Sequence, residues 1–95
     1  MLSREQVLAA LQHVQEPSLH KGLAELGLIR DIMVKEEIIR LTVVLYELKE
    51  EVEQALKEQI LDSLKGQEVH VRFRQMTDIE MDQVRSKLEG SEDSP

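Results

Sequence analysis

Residues 16–32 read Glu-Pro-Ser-Leu-His-Lys-Gly-Leu-Ala-Glu-Leu-Gly-Leu-Ile-Arg-Asp-Ile. A proline and two glycines indicate turns in this stretch, and its apolar residues lead directly into the pattern of a strand. It separates a helical pattern before it from sheet-like patterns after it. We therefore expect a loop over residues 17–27, in which Gly22 and Gly27 can adopt positive φ without penalty. Three leucines of the loop are expected to anchor it to the core: Leu19, Leu23 and Leu26.

The residues before the loop predict one amphipathic helix. Ser3 and Gln6 fit a capping box that starts the helix at Arg4, and Leu2 and Val7 fit the accompanying hydrophobic staple. Pro17 disfavours helical geometry at the residue before it, so the helix should end near residue 15.

Two strands should follow the loop as a hairpin, over residues 28–35 and 38–46. The second strand alternates regularly, with its aliphatic side chains on one face. In the first strand Arg30 and Asp31 are adjacent, so either facing assignment puts a charge among apolar neighbours. This conflict indicates either a bulge or an edge position.

The remaining pattern predicts a helix, a strand and a shorter helix. The first helix covers residues 49–65 and has no Ser, Thr, Asp or Asn at its N-cap, while Gly66 follows its end. A strand covers residues 69–74 and should run parallel to the preceding one, because such crossovers are right-handed. Thr77 and Glu80 fit a second capping box, with Met76 and Met81 as its staple.

These elements predict an α+β fold with two layers. A three-stranded mixed sheet, made of a hairpin and a strand–helix–strand crossover, packs against helices in the order α-β-β-α-β-α. Residues 1–90 should form a single domain, and residues 91–95 a disordered tail or the start of a linker. The order of the strands in the sheet stays open.

Composition excludes several classes of protein. With 41% hydrophobic residues but only Tyr46 and Phe73 as aromatics, the core of this 95-residue chain must be aliphatic. The net charge of −7 disfavours nucleic-acid binding, which depends on Lys and Arg neutralising phosphates. There is no cysteine, so disulfides and thiolate ligands are excluded. No segment has the features of a membrane helix or a signal peptide, and we expect a cytoplasmic protein without membrane contact.

No catalytic or metal-binding motif is present. The three histidines, His13, His20 and His70, lack the spacing that brings metal ligands onto one face. A phosphate-binding loop and a nucleophile elbow are both missing. We therefore expect no catalytic, metal or cofactor-binding residue in this domain, and a hydrogen bond within the loop between His20 and Glu16.

The outward side of the sheet should gather positive charge in an otherwise acidic protein. Its members are Arg40, His70, Arg72 and Arg74. One interpretation is the solvated open face of a two-layer sheet, and the other is a docking surface for an acidic partner or a sister domain. Met33, Met76 and Met81 are interpreted as core filling.

The loop and the order of elements resemble a known family. Glu16, Pro17, Ser18 and Leu19, followed by Glu25, Leu26, Gly27 and Leu28, are similar to the Asp-Pro-Glu-Leu and Leu-Gly-Leu segments of SufT and PaaD-like iron–sulfur assembly proteins. The same small domain forms the N-terminus of Mrp/ApbC-type P-loop ATPases. The resemblance covers about residues 4–74, and the run from Lys21 to Gly27 looks most similar to the Mrp/SalA-like ATPases of Gram-positive bacteria.

The resemblance implies a role in carrying or transferring iron–sulfur clusters. The chain would then be the N-terminal domain of a longer protein whose nucleotide-binding domain begins beyond Pro95. ATP and a cluster are expected only in that full-length protein. Many members carry a Thr and a Cys-Pro pair between the second strand and second helix, where this sequence reads Tyr46-Glu47-Leu48-Lys49. Ser18 also replaces an acidic residue of the family motif.

The first hypothesis is therefore a non-catalytic accessory domain of a Mrp/ApbC-type cluster carrier. It would dock onto its own P-loop ATPase domain, or onto an iron–sulfur assembly or target protein, and a homodimer stays open. The candidate interaction residues are Glu16, Pro17, Ser18, His20, Gly22, Glu25, Gly27, Arg40, His70, Arg72 and Arg74. The alternative hypothesis is a nucleic-acid-binding or regulatory KH-like module, which the acidic charge and the missing basic Gly-x-x-Gly loop oppose. A third, a self-sufficient cluster scaffold, is opposed by the missing cysteines.

Overall fold

The computed structural model describes residues 3–90. For residues 89 and 90 it describes the backbone alone. The predicted tail, residues 91–95, lies outside the described residues. The elements are α1 (Arg4–Ala10), β1 (Gln15–Glu16), β2 (Lys21–Gly22), β3 (Ile29–Lys35), β4 (Ile38–Leu45), α2 (Glu50–Ser63), β5 (Glu68–Gln75) and α3 (Asp78–Gly90). The predicted α+β class is confirmed, and so is the order of its main elements.

The main sheet has the strand order β3-β4-β5. β3 and β4 form the predicted antiparallel hairpin, and β5 runs parallel to β4 over eight residue pairs without a shift in register. The connection through α2 therefore joins two parallel strands, as predicted. β1 and β2 form a separate two-stranded sheet that the sequence pattern did not predict.

α1 begins as predicted and ends five residues early. Ser3 and Gln6 form the capping box in both directions, while Leu2 of the predicted staple lies outside the described residues. The helix ends at Ala10, because the following chain turns back to pair Gln15 and Glu16 with Lys21 and Gly22.

A β-bulge resolves the charge conflict in β3. The register shifts between Arg30 and Met33, and Asp31 lies in the left-handed region with φ of 54°. The extra residue lets Arg30 point to the outer face of the sheet while Ile29 and Ile32 are both buried. β3 is also an edge strand, so both interpretations of this segment are confirmed.

The core is aliphatic, as the composition requires, and it centres on β4. Ile39, Leu41, Val43 and Leu45 face the helices, and Val44 is buried on the opposite face. α1, α2 and the loop complete the core with Val7, Leu11, Val14, Leu23, Leu26, Leu56, Ile60 and Leu64. Each fully buried Leu, Ile or Val contributes roughly 1.5–3 kcal/mol by leaving water. Leu19 is half-buried, so two of the three predicted loop anchors lie deep in the core.

The ends of α2 and α3 follow the predicted cap chemistry. Lys49 occupies the N-cap of α2 and makes no side-chain capping bond, and Gly66 follows the helix with φ of 91°. At α3 the Thr77 hydroxyl accepts from Glu80 N and the Glu80 carboxylate accepts from Thr77 N. None of the helices within residues 3–90 has the length and apolar character that crossing a bilayer requires.

Candidate functional site

The buried carboxylate of Glu16 holds the loop together. Glu16 is only 1% exposed, and its Oε1 accepts hydrogen bonds from the backbone N–H groups of Ser18 and Leu19, at 2.5 and 3.0 Å. Its Oε2 accepts from the N–H of Tyr46 at 3.0 Å. One side chain thus joins the 17–20 turn to the segment between β4 and α2, thirty residues away.

The turn itself is closed by backbone bonds. The Glu16 carbonyl accepts from Leu19 N at 3.2 Å and from His20 N at 2.7 Å, and His20 has φ of 56°. The predicted loop hydrogen bond between His20 and Glu16 is therefore present, but it joins backbone groups, and the Glu16 carboxylate binds the N–H groups of other residues. Pro17, Ser18 and His20 are all exposed at the tip.

Of the two loop glycines, only Gly27 adopts the positive φ that glycine allows, at 71°. A Cβ there would lie 3.1 Å from Lys87 Nζ, which donates to the Leu26 carbonyl at 3.1 Å. Gly22 is a buried residue of β2, and its φ is not positive, so it does not use this freedom. Glu25 is exposed beside it.

A groove of about 290 Å³ lies between the turn and α3. Ser18, Leu19 and Tyr46 form one wall, and Met81, Val84 and Arg85 belong to α3. The sequence pattern did not predict this groove, because it depends on how α3 packs against the loop. Met76 is buried beside it and Met81 half-buried, whereas Met33 is 58% exposed on β3, so its assignment to the core is wrong.

Glu80 fixes α3 to the outer face of the sheet. Arg74 donates two hydrogen bonds to its carboxylate, at 2.9 and 2.8 Å, and Arg30 lies 3.3 Å from Oε2. The hydrogen bonds from Arg74, with that from Thr77 N, lower the pKa of Glu80 to about 2, and the same pair raises the pKa of Arg74. Arg74 is therefore neutralised locally and does not belong to an open basic face, which corrects the prediction.

The other three predicted face residues do lie together. Arg40 pairs in register with His70, and Thr42 with Arg72, around a shallow concavity of about 420 Å³. His70 Nε2 lies 2.6 Å from Glu68 Oε2. Arg40 and Arg72 have no acidic partner among the side chains of residues 3–88. Two unpaired guanidinium groups on one face are suited to binding carboxylates or phosphates.

The loop and this concavity are two separate surfaces. Tyr46 contacts Glu16 just beyond the C-terminal end of β4, whereas Arg40 lies six residues earlier on the same strand. At about 3.3 Å per residue the two are roughly 20 Å apart along β4.

An iron–sulfur cluster does not fit the residues of this chain. Clusters are held mainly by cysteine thiolates, and the sequence contains none. The buried Glu16 uses both of its oxygens on backbone donors. Within residues 3–88, no three His, Asp or Glu side chains lie close enough together to hold a metal ion.

Comparison with protein families decides the relationship of the chain. A family model described as iron–sulfur cluster assembly protein matches residues 4–73, from the start of α1 to Phe73 in β5. The chain belongs to the iron–sulfur cluster assembly protein family. A search of curated proteins finds no match. Within this family member, Arg74, Glu80 and the α3 wall of the groove all lie beyond the matched residues.

Proposed function

We propose that this domain is a non-catalytic recognition domain in iron–sulfur cluster assembly, acting with a P-loop ATPase of the Mrp/ApbC type in the cytoplasm. The cluster is cargo of the pathway, and ATP hydrolysis takes place in the ATPase domain. One observation carries the proposal: a member of this family has no cysteine, and the buried acid of its loop is committed to backbone donors.

The surface best suited to docking is the concavity around Arg40 and Arg72. Both arginines are exposed and lack an acidic partner among the described residues, in a protein with a net charge of −7. They supply localised positive charge, which favours an acidic surface of the ATPase or of a target protein. The family match gives no support to the KH-like alternative.

Charge reversal tests this docking. The double variant Arg40→Glu/Arg72→Glu should weaken binding to a purified Mrp/ApbC-type ATPase by about tenfold or more, measured by isothermal titration at two salt concentrations. Its Tm should be nearly unchanged, because exposed unpaired side chains contribute little to stability.

A matched control has the same change in net charge at a distant place. Arg4→Glu/Lys21→Glu reverses two exposed cations on α1 and β2, and it should bind the ATPase like the unaltered chain. Equal affinity of all three proteins would remove the concavity from the proposal, and absence of any binding by the unaltered chain would remove the ATPase as partner.

A further inference from the structure

β5 is an unprotected edge of the main sheet. Among residues 3–90, β4 is its only strand partner. No residue of β5 is fully buried, whereas β4 contributes five buried residues over the same length. An eight-residue strand with one side unpaired offers its backbone groups to another strand.

The unpaired backbone groups can be assigned from the ladder. Glu68 N donates to Glu37 O, and Met76 N donates to Leu45 O, at the two ends of β5. The direction of the backbone N–H and C=O groups alternates along a strand. In β5 these groups therefore point towards β4 at every even-numbered residue. The N–H and C=O groups of Val69, Val71, Phe73 and Gln75 therefore face outward, and the first three residues offer three donors and three acceptors to another strand.

The opposite edge of the sheet is different. β3 carries the bulge at Asp31, and bulges are one means by which proteins block pairing at an edge. β5 has no register shift in its pairing with β4, and its sequence contains neither proline nor glycine. Pairing with a further strand is therefore expected at β5 and not at β3.

Side chains along β5 suit a copy of the same strand. Val69, Val71 and Phe73 are half-buried on the helix side, and Val71 lines both the outer concavity and a second one beside α2. On the outer side the strand begins with Glu68 and carries Arg72 near its other end, whereas Arg74 is engaged by Glu80. An antiparallel copy brings the acidic start of one strand to the basic end of the other.

We propose that two copies of this chain associate through antiparallel pairing of their β5 strands, with the two-fold axis at Val71. This register uses the outward donors and acceptors of Val69, Val71 and Phe73 in each copy and forms six backbone hydrogen bonds. It places Val69 opposite Phe73 of the second copy, and Glu68 diagonal to Arg72, whose guanidinium has no acidic partner among the described side chains. Such aromatic, β-branched and opposite-charge pairs are the ones that stabilise antiparallel strands. The product is one continuous six-stranded sheet.

Sedimentation equilibrium of the 95-residue chain tests the association. We expect a concentration-dependent dimer that Val71→Lys abolishes, because a charged side chain then lies at the centre of the interface. Met33→Lys, at an exposed position of the other edge strand, should leave the dimer intact. Circular dichroism establishes that each variant is folded.

A surface variant keeps the test independent of the half-buried valine. Glu68→Lys removes only an exposed carboxylate paired with His70, and it should weaken the dimer about tenfold because two symmetric pairs become repulsive. A chain that stays monomeric at high concentration overturns the proposal. A dimer that is indifferent to both Val71→Lys and Glu68→Lys also overturns it.

Cysteine cross-linking tests the register, since the native chain has no thiol. In the proposed register Val71→Cys places two Cα atoms about 5.5 Å apart, within the range for a disulfide. The two thiols of Val69→Cys lie four residues apart along the ladder, roughly 13 Å. With diamide as oxidant, Val71→Cys should give a disulfide dimer and Val69→Cys should not. The opposite result would overturn the proposed register.

Discussion

At the scale of single residues, two buried carboxylates organise this acidic protein. Glu16 joins the turn at 17–20 to Tyr46, and Glu80 joins β3, β5 and α3 through Arg30 and Arg74. Both are surrounded by donors, which is the condition under which burying a carboxylate is tolerated. Their role is to hold the loop and α3 in place, and the groove between these two segments depends on both.

Glu16→Gln should lower the free energy of unfolding by about 2 kcal/mol. The amide keeps one acceptor oxygen but places an NH₂ group against a backbone N–H donor, either of the turn or of Tyr46. Urea unfolding measures the loss. Glu25→Gln, at an exposed position of the same loop, is the control and should change stability little. Equal stability of the two variants would show that the carboxylate does not hold the loop.

Glu80 should make stability depend on acid pH. Its pKa is lowered in the folded protein to about 2, below the value of 4.5 for a free side chain. A lowered folded-state pKa gives stability that is present above the unfolded value and is lost as the pH falls through the folded one. The free energy of unfolding should therefore decline between about pH 4.5 and 2.

Glu80→Gln isolates this contribution. Urea midpoints measured from pH 6 downward should be lower for Glu80→Gln near neutrality and should converge with the unaltered chain towards pH 2. Asp82→Asn, an exposed acid on the same helix, should keep the full acid dependence. A parallel decline in all three proteins would assign the acid sensitivity to other groups.

At the scale of elements, regular patterns were predictable and short-range exceptions were not. The alternation in β4 and β5, both capping boxes and the missing N-cap of α2 follow from residues near one another in the chain. The two-residue strands β1 and β2 have no period to detect, and the early end of α1 depends on the bond from Leu23 N to Val14 O. The bulge at Asp31 could be anticipated only because Arg30 and Asp31 are adjacent, and in a regular strand two adjacent charged side chains cannot both face solvent.

The missing cap of α2 gives a stabilising prediction. Lys49 has the extended backbone of an N-cap residue but no side-chain oxygen to accept from the first turn. Lys49→Ser should raise the free energy of unfolding by about 1 kcal/mol, measured by thermal and urea unfolding. The substitution removes only an exposed salt bridge between Lys49 and Glu47, 3.5 Å long, and exposed salt bridges contribute little to stability. Lys57→Ser, within the helix, should lower stability slightly, and a similar decrease at Lys49 would contradict the capping argument.

At the scale of the whole molecule, the position of the loop was predictable from the sequence, but the residues that the loop contacts were not. Glu16 was recognisable from the resemblance, yet its bond to Tyr46 spans thirty residues and required the fold. Arg40, His70 and Arg72 could be placed on one face from strand alternation alone. Arg74 follows the same alternation but forms an ion pair with Glu80, because α3 turns back onto the sheet directly after β5.

The proposed recognition role predicts the result of cluster reconstitution. The 95-residue chain has no cysteine, so after anaerobic incubation with iron and sulfide followed by desalting it should retain no visible absorption. A family member that carries the Cys-Pro pair, treated in parallel, shows that the conditions load a cluster. When the chain is mixed with a loaded Mrp/ApbC-type carrier, the colour should remain with the carrier or its acceptor while the rate of transfer changes. Colour that stays with the isolated chain would mean that side chains other than thiolates hold the cargo, and the recognition role would then be wrong.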